Sequence, residues 1–68
     1  MNDDTFNLSI RKFLKLVGIS SQREIEHAVA AALQAGKLSG NESLPARMTL
    51  EVEGIKLNVV FDGVIELG

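Results

Sequence analysis

Cysteine is absent and histidine occurs once, so the chain can build neither a disulfide framework nor a structural zinc site from its own side chains. One proline and six glycines are too few for a collagenous or disordered Pro/Gly-rich chain. Long hydrophobic runs are also missing: the longest, Ala28 to Leu33, has six residues, whereas a bilayer-spanning helix needs about 20. The start, Met1-Asn2-Asp3-Asp4, is acidic where a secretory signal carries bases. These absences lead to the expectation of a cytoplasmic protein that does not cross a membrane and takes no cofactor or metal.

What is present fits a folded domain. The 68 residues are 46% hydrophobic and 24% charged, which suits one domain over residues 1–68. Such a short chain buries only about 60% of the surface it exposes when unfolded. The formal charge is −2, unevenly divided. Residues 1–37 carry five bases (Arg11, Lys12, Lys15, Arg23, Lys37) against four acids, and residues 38–68 carry two bases (Arg47, Lys56) against five acids. This balance lacks the broad positive field that drives nucleic-acid affinity, so nucleic acid is not the expected partner.

Phe6, Ile10, Phe13, Leu14 and Val17 recur at helical spacing and predict a helix over about 4–17, opened by Asp3 or Asp4 and stopped by Gly18. Ser21-Gln22-Arg23-Glu24 has capping-box spacing and predicts a second helix over about 21–35, with Ile25, Ala28, Val29, Ala32 and Leu33 on its apolar face and Gly36 as its stop. Residues 37–46 read as a loop. The period then changes to two, predicting strands at about 47–52, 55–60 and 64–67. A Glu53-Gly54 turn would set Val52 against Ile55, Leu50 against Leu57 and Met48 against Val59. A Phe61-Asp62-Gly63 turn would then return a third strand, with Val60 and Val64 facing outward. The expected fold is α+β: two helices packed on one face of a three-stranded antiparallel meander.

Chemistry-bearing patterns are scarce. His27 is the only side chain that ordinarily titrates near neutrality, and the helical wheel turns it to solvent. Ser9, Ser20 and Ser21 have no oriented base, and Ser20 and Ser21 are better suited to capping. Glu51, Glu53 and Glu66 fall on or near a solvated sheet face rather than converging across a pocket. The glycines form no phosphate-binding or dinucleotide fingerprint. No catalytic residue is therefore expected. Two surfaces remain. Leu8, ringed by Arg11, Lys12 and Lys15, could anchor an acidic protein partner, and the last strand's edge could support a weak homodimer of an otherwise monomeric chain. The alternative is weak nucleic-acid binding by a helix-turn-helix-like N-terminal half, with Gln22 and Arg23 at the start of the second helix.

The stretch from Phe6 to Lys15, followed by Val17 to Glu26, Ala35 to Leu38 and Ile65 to Leu67, resembles a family of short bacterial proteins of unknown function. The resemblance implies a free-standing small bacterial protein. It carries no activity, cofactor or residue role to any position.

Overall fold

A single helix, α1, runs from Asp3 to Gln34 in the computed structural model, which describes residues 1–68. Asn2 is its N-cap: the side-chain Oδ1 accepts from the Thr5 N–H at 3.0 Å, and Asp3 and Asp4 lie in the first turn beside the positive dipole end. The C-terminus closes as expected at Gly36, which adopts φ 75°. There the Gly36 N–H donates to the Leu33 carbonyl at 3.1 Å and the Lys37 N–H to the Ala32 carbonyl at 2.9 Å, the paired bonds of a Schellman closure.

The expected break at Gly18 does not occur. Gly18 stays in helical conformation, and Ser20 and Ser21 lie inside the helix rather than capping a second one. The reason is phase. Val17, Ser21, Ile25, Ala28 and Ala32 continue the stripe of Phe6, Ile10, Phe13 and Leu14 at about 100° per residue, so one straight helix keeps these side chains on one side, while Val29 and Leu33 turn toward the side of Leu8. A mid-helix Gly costs only about 1 kcal/mol, less than terminating and recapping two helices. With no turn between helices, the helix-turn-helix geometry behind the nucleic-acid reading is gone, and Gln22 and Arg23 sit in mid-helix.

The second element is a hairpin of β1, Ser43–Val52, and β2, Leu57–Glu66, paired antiparallel. The three-stranded meander is therefore corrected to two long strands. Phe61-Asp62-Gly63 is not a turn, because each residue has a partner across the ladder: Met48, Arg47 and Ala46 respectively. The loop expected over 37–46 likewise ends early, with Leu44, Pro45 and Ala46 already in β1. Pro45 is tolerated because each strand of a two-stranded sheet has a free edge.

The connection between the strands is four residues long. Glu53–Ile55 form a short 3-10 turn, and Lys56, at φ 52° and ψ 34°, supplies the left-handed residue and donates its N–H to the Glu53 carbonyl at 3.1 Å. Val52 thus faces Leu57 rather than Ile55, Leu50 faces Val59 and Met48 faces Phe61. The register differs from the expected one by two positions. Since side chains alternate with period two, an even slip keeps the same residues on the same face.

That face is apolar throughout. Leu44, Ala46, Met48, Leu50 and Val52 on β1 oppose Ile65, Gly63, Phe61, Val59 and Leu57 on β2. The other face pairs Ser43 with Glu66, Arg47 with Asp62, Thr49 with Val60 and Glu51 with Asn58. Val60 and Val64 point to this second side, as anticipated.

The chain divides into two compact units, Met1–Lys37 and Leu38–Gly68. Each is one layer thick: the first is a lone helix and the second a lone hairpin. No residue in either unit is buried. On the α1 stripe and the apolar hairpin face Phe6, Phe13, Leu14, Met48 and Phe61 are exposed, while Val17, Ala32, Leu44, Leu50, Leu57 and Ile65 are half-buried. An isolated two-stranded hairpin is marginally stable at best in water, and units below about 40 residues usually need oligomerisation or a cross-link.

Candidate functional site: the basic face of the helix

Leu8, Arg11, Lys12 and Lys15 all belong to α1, and its continuous winding gathers them into one sector of about 100° of arc, opposite the Phe6, Ile10 and Val17 stripe. All four are exposed. None of the three bases is in an ion pair, the chain's one ion pair being Arg47 Nε to Asp62 Oδ1 at 2.9 Å. The sector therefore offers an apolar side chain ringed by free cations.

Ile19 joins this sector. The stop expected at Gly18 would have left it outside the first helix. In the structure it lies eleven residues after Leu8, close to three full turns, so both point the same way. The spacing of eleven was the available signal, hidden by the assumed stop at Gly18.

The other singled-out side chains do not converge. His27 lies exposed on α1, and Ser9, Ser20 and Ser21 lie along the same helix. Glu51 is on the polar hairpin face, Glu53 is in the connecting turn, and Glu66 accepts a hydrogen bond from the Ser43 hydroxyl across the ladder. No three acidic or histidine side chains come together as a metal-holding group. No helix is long and apolar enough to cross a membrane.

Residues 1–68 match a family described as being of unknown function, DUF6494. The chain belongs to that family. The match spans the whole chain, as the sequence resemblance suggested, and brings no residue roles with it. No curated protein matches, and no solved structure does.

One DUF6494 feature escaped sequence reasoning. The Glu42 carboxylate folds back over the segment before β1 and accepts from the N–H groups of Ser39 at 2.8 Å, Gly40 at 3.0 Å and Asn41 at 3.2 Å, and from the Ser39 hydroxyl at 3.2 Å. These donors, the Ser39 N–H foremost, hold the Glu42 carboxyl below its ordinary range against a smaller opposing effect of desolvation. Its backbone carbonyl accepts from the Leu67 N–H at 2.9 Å, which ties this loop to the chain end. The carboxylate's hydrogen bonds go to its own loop, so its role is to shape the entry to β1. The sequence over 37–46 reads only as a loop; an acid three residues after Ser39 was the missed sign.

Proposed function

We propose that this protein is a small non-enzymatic interaction or regulatory module that engages an acidic protein partner through the Leu8 sector of α1. The observation that supports the reading is the gathering of Leu8, Arg11, Lys12 and Lys15 on one side of a single helix, with the bases unpaired and the apolar stripe on the opposite side. A central apolar contact inside a charged rim suits protein recognition: the rim speeds encounter and fixes orientation while the buried side chain supplies affinity. The reading keeps the cytoplasmic, bacterial setting expected from the sequence.

The test is capture from native cells with wild type and with Leu8→Glu/Arg11→Glu. Specific proteins retained by wild type at low salt, released as salt rises and lost from the variant support the reading. A capture profile that is identical for the two baits contradicts it.

A further inference from the structure

We propose that a second copy of this chain covers the two apolar faces, with the α1 helices paired antiparallel about Ile19. The inference goes beyond the partner reading and is independent of it, since it uses the opposite side of α1.

The α1 stripe from Phe6 to Ala32 is about 39 Å long and about 10 Å wide, and one such strip on each of two chains gives roughly 800 Å². A stable interface needs about 1,200 to 2,000 Å², so helix pairing alone falls short. The apolar hairpin face, ten residues per strand, adds about 33 Å by 10 Å from each chain. Together the faces supply roughly 1,500 Å², the size a specific homodimer requires.

The two ends of the stripe also differ in shape. The stripe is bulkier at one end, with Phe6, Ile10, Phe13, Leu14 and Val17, than at the other, where Ser21, Ala28 and Ala32 stand beside Glu24 and Ile25. Reversing one copy about Ile19 sets Phe6 opposite Ala32, Ile10 opposite Ala28, Phe13 opposite Ile25 and Val17 opposite Ser21, because each pair is equidistant from Ile19. Large then meets small along most of the contact, the condition for dense packing. A parallel pair would crowd bulky against bulky and leave alanine facing alanine. It would also bring two sets of Arg11, Lys12 and Lys15 to the same level, whereas antiparallel helices oppose their dipoles favourably. The hairpin face has no such taper: its small pair, Ala46 and Gly63, lies between large ones.

The absence of cysteine gives a clean test. In full-length Ile10→Cys/Ala28→Cys the two thiols are about 27 Å apart along one helix, beyond the reach of a short bis-maleimide. The proposal expects efficient cross-linking to twice 7.4 kDa in this double variant and little with Ile10→Cys alone. Equal cross-linking of the single and double variants would mean a parallel pair and overturn the register. Wild type sedimenting at 7.4 kDa at every concentration would overturn the second copy altogether, whatever the variants do.

Discussion

The Ser39 N–H donates to the Glu42 carboxylate at 2.8 Å and the Glu42 carbonyl receives the Leu67 N–H at 2.9 Å, so one residue joins the loop before β1 to the end of β2. Because the folded state holds this carboxyl below its ordinary 4.5, the ionised form favours folding. The contribution is fully present above the unfolded value and is lost as pH falls through the lowered folded value. An NMR titration should show the Glu42 carboxyl, and the amides of Ser39 and Gly40, changing with a midpoint below 4.5. Glu42→Gln should remove that transition; a midpoint at or above 4.5 would contradict the loop geometry.

Gly18 and Gly36 should respond oppositely to alanine. Gly18 is inside α1 with open space where a Cβ would stand, so Gly18→Ala should stabilise the protein by about 0.5 to 1 kcal/mol in urea melts. Gly36 holds a left-handed φ of 75°, so Gly36→Ala should cost about 1 to 2 kcal/mol. Destabilisation by Gly18→Ala would restore the two-helix reading.

Lys56 bears left-handed strain that glycine would relieve. Lys56→Gly should raise stability by about 1 kcal/mol, and Gly54→Ala, at a position without positive φ and with open space for a Cβ, should raise it by about 0.4 to 1 kcal/mol.

Val59 and Val60 are 38% and 47% exposed in the single chain, yet they sit on opposite hairpin faces. If a second copy covers the apolar face, Val59→Thr should cost about 1 to 2 kcal/mol and Val60→Thr less than about 0.5. Equal costs would argue that neither face is covered.

Much of this architecture is legible in the residues themselves. The apolar stripe, the closure at Gly36, and the shared face of Met48, Leu50, Val52, Leu57 and Val59 all follow from period and from glycine's freedom at positive φ. The differences lie where longer-range periodicity overrode local signals. Ser21-x-x-Glu24 imitates a helix start, although Ser21, Ile25, Ala28 and Ala32 carry the stripe past Gly18. Asp62-Gly63 imitates a turn, although the alternation of Phe61, Gly63 and Ile65 continues β2, and Asp62 meets Arg47 across the ladder. Where periodicity over many residues disagrees with a two- to four-residue motif, the longer pattern keeps more backbone hydrogen bonds and apolar side chains in register and decides. The sector of Leu8, Arg11, Lys12 and Lys15 was visible at once because it lies within three turns of one helix; Ile19 was not, because its place depends on the helix continuing.

Sedimentation equilibrium, read beside thermal melts over a wide range of protein concentration, addresses the central claim that these one-layer units are completed by a second copy. The account predicts a species of twice 7.4 kDa whose melting temperature rises with concentration. A species of 7.4 kDa that melts cooperatively at a concentration-independent temperature would contradict it.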